Sequence, residues 1–320
     1  MQINRLFRYY VNTMRNLRKF TLLVLILFIG AILFLGIAHI HKTAPSSSDR
    51  LQVVAAENFW GSLVTQIGGS KVQVTSIVTD PNADPHEYES NSINARAFST
   101  ANYVILNGAG YDSWGNKLLN ASPNSNRKEL TVANLLGKKN GDNPHFWYNP
   151  VYVNTVVTQM EHDLIKLDPT NKSYYEARYA TLKSSLTTYQ LHITDIKNHF
   201  HGTQVASTED IFAYLAQSAG LNLISPTSFS RAVSEGNDPP TSSIVQFQQQ
   251  LQSGQVKVLV YNAQTVTPLT NSIKRLASEK HIPLVAVTET VQPTSATFQE
   301  WMNSQLINLE NALTSQASKR

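Results

Sequence analysis

Apolar and polar positions alternate over short stretches and then shift to a helical period, repeatedly along the chain. From residue 51 the runs Leu51-Gln52-Val53-Val54-Ala55, Val72-Gln73-Val74-Thr75-Ser76-Ile77 and Tyr103-Val104-Ile105-Leu106 are β-rich, and residues 59–67 and 92–100 between them read as helices. Strands alternating with helices of this length predict βαβ units and a mainly parallel sheet. Residues 169–200 interrupt the rhythm. After Pro169 the segment contains neither Pro nor Gly, and Tyr175, Tyr179, Leu182, Leu186 and Leu191 recur at helical spacing, which predicts one long helix. About thirty residues at 1.5 Å rise reach about 45 Å, more than one small lobe needs, so this helix is expected to brace two. The second half resumes the alternation with strands at 204–207, 221–224, 256–261 and 283–287, and helices at 210–218, 242–252, 269–280 and 297–314. The expected division is a first α/β lobe at 51–168, a bridging helix at 169–201 and a second α/β lobe at 202–320. Some 270 residues suffice for two lobes with separate cores.

The N-terminus follows a different pattern. Arg5, Arg8, Arg15, Arg18 and Lys19 precede an apolar stretch over residues 21–40 with no acidic residue nearby. This is the layout of an export signal or a membrane anchor, and its length favours the anchor, because about twenty apolar residues span a hydrocarbon core of roughly 30 Å. The expectation is a basic cytoplasmic segment at 1–20, a transmembrane helix at 21–41, a Ser-rich linker at 42–50 and a domain outside the cytoplasm. Of the 26 basic residues six lie before Thr43, leaving 20 against 22 acidic residues in the exported part. The formal charge of +4 therefore gives no basic stripe, and nucleic-acid binding is not expected. With no Cys in the sequence, a lipobox lipid, disulfides and thiolate metal sites are excluded, which leaves His and carboxylates as the strong metal ligands.

Ligands of open α/β sheets sit at the carboxyl ends of strands, and four residues answer a search there. His86 lies in the turn-rich segment Asp84-Pro85-His86-Glu87-Tyr88-Glu89, His145 in Asn143-Pro144-His145-Phe146-Trp147, Glu209 after the strand opening the second lobe, and Glu289 after the strand at 283–287. Two imidazoles and two carboxylates suit one divalent Zn²⁺, Mn²⁺ or Fe²⁺ ion, directional nitrogens combining with charges that offset the metal's own. Singly, each has a plainer reading: a surface loop histidine, or a carboxylate at a helix start. His162, His192, His199, His201, His39 and His41 sit beside charges, at a helix end or at the membrane boundary, and read as structural or solvated. Trp60, Trp114, Phe146 and Trp147 read as core or cleft wall. There is no phosphate-binding glycine loop, no His-Glu-x-x-His pair, no Gly-x-Ser-x-Gly elbow and no Cys nucleophile.

Together these segments resemble the zinc- and manganese-binding solute-binding proteins of bacterial ABC importers. Asp84 to Glu89 and Asn143 to Trp147 are similar to that family's first and second ligand motifs, Glu209-Asp210-Ile211-Phe212 to the segment opening its second lobe, and Thr288-Glu289-Thr290 to the place of its last carboxylate. The resemblance implies two Rossmann-like lobes bridged by a long helix, a metal in the cleft between them, no enzymatic activity, a monomer, and as partners a membrane permease with its cytoplasmic ATPase. Two departures stand out: the His- and acid-rich loop of many zinc members is missing between residues 110 and 140, and so is the lipid-bearing Cys. The competing readings are a secreted mononuclear metalloenzyme, which needs an open coordination position, and a surface adhesin with a structural metal.

Overall fold

Strand β1 (Leu51–Glu57) is buried along most of its length, as an inner parallel strand covered on both faces must be. The computed structural model describes residues 50–80 and 88–317, together with Met14. After β1 come α1 (Asn58–Gly68), β2 (Val72–Val78), α2 (Ser92–Thr100), β3 (Tyr103–Leu106), α3 (Ser113–Ala121), β4 (Lys128–Thr131) and the short α4 (Val132–Leu135). The strands form a parallel sheet in the order β2-β1-β3-β4. Helices α5 (Pro150–Leu167) and α6 (Lys172–Phe200) follow. The second sheet is built from β5 (Gln204–Ser207), α7 (Ala213–Ser218), β6 (Asn222–Leu223), α8 (Thr227–Ser234), α9 (Thr241–Gln252), β7 (Val258–Asn262), α10 (Pro268–Glu279) and β8 (Leu284–Val287), and α11 (Phe298–Ala317) closes the order. Its strands are again parallel, β6-β5-β7-β8, the same arrangement as in the first lobe.

Helix α6 runs 29 residues, about 44 Å at 1.5 Å per residue. It packs against α1 and α5 on the first lobe and against α11 and α7 on the second. Its buried face is Tyr175, Leu182, Leu186, Tyr189, Ile193 and Ile196, whereas Leu191, expected on that face, is exposed. The segment at 169–171 is a separate 3-10 turn. The two lobes do not keep separate cores. One continuous apolar cluster runs from Val53 and Phe59 through Trp147, Met160 and Leu186 to Val260, Trp301 and Leu309, while smaller clusters cover the far face of each sheet. The helices between the sheets are shared, so apolar surface from both halves is buried in one layer.

Helix α5 was not apparent from the periodicity. It begins where Asn149 Oδ1 accepts the backbone N–H groups of Val151 (2.9 Å) and Tyr152 (3.3 Å) and Pro150 occupies the first turn, a local start signal. Among the described residues no helix is long and apolar enough to cross a membrane. The expected basic segment, transmembrane helix and all of the linker but Arg50 lie outside the described residues apart from Met14, as does His86.

Candidate metal centre

Both sheets turn their carboxyl ends toward one region, and the second lobe supplies most of its groups. Glu209 follows β5 and begins a 3-10 turn without capping it; Asn262 ends β7; Glu289 follows β8. Asn262 joins the two carboxylates, its Nδ2 donating to Glu289 Oε1 at 2.6 Å and to Glu209 Oε2 at 3.1 Å. Gln264 fixes the next turn: its Oε1 accepts the backbone N–H groups of Glu289 (2.6 Å) and Thr290 (3.2 Å). Tyr148 Oη lies between Thr288 O (2.9 Å) and Gln305 Oε1 (2.8 Å), so the first lobe also holds this segment.

His145 reaches the same place from the first lobe. It does not follow a strand directly, as the search rule supposed; it ends the loop after α4 and precedes the 3-10 turn Phe146–Tyr148. Its Nε2 lies 3.9 Å from Glu289 Oε1. Its Nδ1 lies 2.8 Å from Asn143 Oδ1 and 3.3 Å from Asp210 Oδ1. Acceptors on that side place the proton on Nδ1 and turn the Nε2 lone pair toward the carboxylates, the arrangement common to metal-binding imidazoles. Trp147 and Tyr111 pack edge-on to the ring, at centroid distances of 5.2 and 6.2 Å.

Exposure is 0% for His145, 1% for Glu209 and 0% for Glu289. Burial, and then the charge of Glu289, push Glu209 up to about 8. Burial alone would lower His145, but the bond to Asp210 and the charges of Asp210, Glu289 and Glu209 outweigh it and hold the imidazole above its ordinary value. Glu209 Oε1 is buried without a hydrogen-bond partner, an expensive arrangement for an oxygen with no cation beside it. The donor set, one imidazole and two carboxylates desolvated together, fits a divalent metal. His145, Glu209 and Glu289 are thus gathered, and His86 lies outside the described residues. Among the described residues, no group of three or more His, Asp or Glu side chains is placed to hold a metal ion.

Several groups here were not singled out from sequence. Tyr111 donates its hydroxyl to Glu289 Oε2 at 2.6 Å across the lobes. Glu57, at the end of β1, is buried; burial, and then the charge of Asp112, push its carboxyl well above the usual carboxylate range. Asp112 in turn accepts the backbone N–H groups of Asn107 (2.6 Å) and Gly108 (2.8 Å). Asn107 Nδ2 donates to Pro144 O at 2.9 Å, tying this turn to the loop that carries His145. Applying the strand-end rule to amides and phenols as well as to His and Glu would have found Asn262 and Tyr111.

A family model described as ZnuA, zinc-uptake complex component A, periplasmic, matches residues 53–312. The manganese ABC transporter substrate-binding lipoprotein PsaA of Streptococcus pneumoniae is 26% identical over 220 residues, covering 62% of this chain and 68% of that protein. Among solved structures, a ZnuA crystal structure superposes with a TM-score of 0.66 at 22% identity, covering 83% of this chain and 100% of the other. The periplasmic zinc-binding protein TroA of Treponema pallidum superposes with a TM-score of 0.70 at 13% identity, covering 82% and 99%. The likeness to these two structures is one of fold.

Proposed function

Because the chain belongs to the family of periplasmic zinc-uptake components, we propose that it captures one Zn²⁺ or Mn²⁺ ion outside the cytoplasm and hands it to an ABC permease driven by a cytoplasmic ATPase. Members of this family carry cargo rather than transform it, so the metalloenzyme and adhesin readings are set aside. The ion is cargo, held by His86 and His145 from the first lobe and Glu209 and Glu289 from the second. The observation that carries this reading is the joining of the Glu209 and Glu289 carboxylates by Asn262, with His145 Nε2 3.9 Å from Glu289. Two buried carboxylates repel one another unless protonated or neutralised, and a divalent ion neutralises both.

The relatives whose names include "lipoprotein" have an anchor in that word; here residues 21–41 are proposed to do the same work as a membrane-spanning helix. The lobes at 51–168 and 202–320, with the helix at 169–201 between them, are proposed as the moving parts, and the working unit as a monomer. Because the lobes share one apolar core, closure on the ion is a small tilt rather than a wide hinge. The test is titration calorimetry on the full chain after chelator treatment. One site per chain is expected for Zn²⁺ and Mn²⁺, with binding lost in His145→Ala and Glu289→Ala; unchanged binding in both variants would end the proposal.

A further inference from the structure

We propose that Asn107 is a positioning residue for this site: its side-chain amide sets the orientation of the His145 imidazole by holding the backbone beside it. The inference deepens the proposed function, from which it takes only that His145 is a ligand. Asn107 stands just past β3 and is 0% exposed. Its Nδ2 donates to Pro144 O at 2.9 Å, and its Oδ1 accepts the Trp60 indole N–H at 3.1 Å. Both ends of the amide are thereby fixed, and it cannot flip without breaking two buried bonds. The strand end behind it is fixed as well, because the Asn107 N–H donates to Asp112 Oδ2 at 2.6 Å and Asn107 O accepts the Ala133 N–H at 2.9 Å. The imidazole itself leans the other way. Asn143, whose Oδ1 lies 2.8 Å from His145 Nδ1, donates through Nδ2 to Asp210 O at 2.7 Å, and Tyr214 Oη donates to Asn143 O at 3.0 Å. Those two bonds lead to the second lobe, whereas the bond from Asn107 ties the same loop to the first-lobe sheet, one residue before the ring.

The register of the two sheets gives this amide a counterpart. β1 pairs with β3 at Ala55 and Ile105, and β5 pairs with β7 at Ser207 and Val260. Two residues further along come Glu57 and Asn107 in the first lobe, and Glu209 and Asn262 in the second. The strand orders β2-β1-β3-β4 and β6-β5-β7-β8 make these places equivalent. In the second lobe the asparagine amide orients two candidate ligands directly, donating to Glu209 and Glu289. In the first lobe the same position reaches a candidate ligand through the carbonyl that precedes it. Outer partners of this kind fix the direction of a ligand, and losing one costs about 10–100-fold in metal affinity.

The experiment uses the full chain, labelled with ¹⁵N-histidine and stripped with a chelator; the ring signals of His145 are assigned by their loss in His145→Ala. Asn107→Ala removes the side-chain bonds and keeps both backbone bonds of that residue, so the fold is expected to survive. Phe229→Leu, in the apolar cluster on the far face of the second sheet, is the control for lost stability. In Asn107→Ala the His145 ring-nitrogen signals are expected to move toward those of a freely turning imidazole, and Zn²⁺ affinity to fall by about 10–100-fold. In Phe229→Leu neither is expected to change. Unchanged His145 signals or an unchanged affinity in Asn107→Ala would overturn the proposal. So would equal changes in Phe229→Leu, which would reduce the effect to lost stability. Where Asn107→Ala does not fold, Trp60→Phe decides, because it removes the indole N–H that holds the amide: altered His145 signals support the proposal and unaltered ones overturn it. A wild type that takes up no Zn²⁺ would refute the metal reading; the ring signals need no metal and test the orienting bond separately.

Discussion

Asn58 and Val291 hold each other across the two lobes: the Val291 N–H donates to Asn58 Oδ1 at 2.9 Å, and Asn58 Nδ2 donates to Val291 O at 3.3 Å. The same seam continues with the Phe298 N–H donating to Ser62 Oγ (2.9 Å) and with a reciprocal amide pair between Gln66 and Gln299. Helix α1 is therefore fastened to the segment that follows Glu289 and to the start of α11.

Asn58→Ala removes both partners of a buried backbone pair. It is expected to lower stability by about 1–3 kcal/mol, read as a reduced midpoint in urea unfolding of the metal-free chain. A change below about 0.5 kcal/mol, the range of neutral surface substitutions, would show that the seam does not bind the lobes together.

Metal binding should strengthen as pH rises. The ion competes with protons for Glu209, pushed up to about 8 by burial and by Glu289, and for His145, held above its ordinary value. From sequence alone the loss of affinity is expected only near the ordinary histidine value of about 6.5; the buried carboxylates move its onset up to about pH 8. Affinity is expected to fall at least about tenfold between pH 8 and pH 6, measured by competition with a chelator of known pH dependence. A flat profile over that interval would contradict the assignment of these ligands.

The metal-free chain should show the opposite trend in stability. Glu209 binds its proton more tightly folded, at about 8, than unfolded, at 4.5. Its stabilising contribution is complete below about 4.5 and disappears as pH rises through about 8. Glu57, also raised, acts in the same direction. The melting temperature of the stripped chain is expected to be lower at pH 8.5 than at pH 6 by several degrees, on the order of 2–4 °C per kcal/mol lost. Saturation with metal should abolish the decline, because the ion then occupies the place of the protons.

Asp210 touches His145 at 3.3 Å and accepts the Ser234 hydroxyl at 2.7 Å. Asp210→Asn keeps the shape but removes the charge that orients the imidazole. A drop in metal affinity of about 10–100-fold with unchanged stoichiometry is expected, by calorimetry at pH 8. Unaltered affinity would mean that Asn143 alone fixes the ring.

Much of the architecture was legible because the signals are periodic. Runs such as 53–56 and 103–106 are apolar throughout, as strands covered on both faces must be, and the Pro- and Gly-free stretch after 169 has no other economical reading. Helix α5 escaped because its surface is only partly apolar and its start depends on one asparagine cap. The separate cores failed for another reason: pattern shows which residues are buried, not which elements they are buried against, and α1, α5, α6 and α11 serve both sheets. At the site, His145, Glu209 and Glu289 could be chosen by chemical type, but Tyr111 and Asn262 matter through distances of 2.6 Å that only folding creates.

The most direct test of the central claim is an anomalous difference map from crystals of the full chain grown with Zn²⁺ or Mn²⁺. A single peak is predicted between the lobes, about 2.0–2.2 Å from nitrogens of His86 and His145 and from carboxylate oxygens of Glu209 and Glu289. A peak bound elsewhere, or one that lacks either Glu209 or Glu289 among its ligands, would contradict the account.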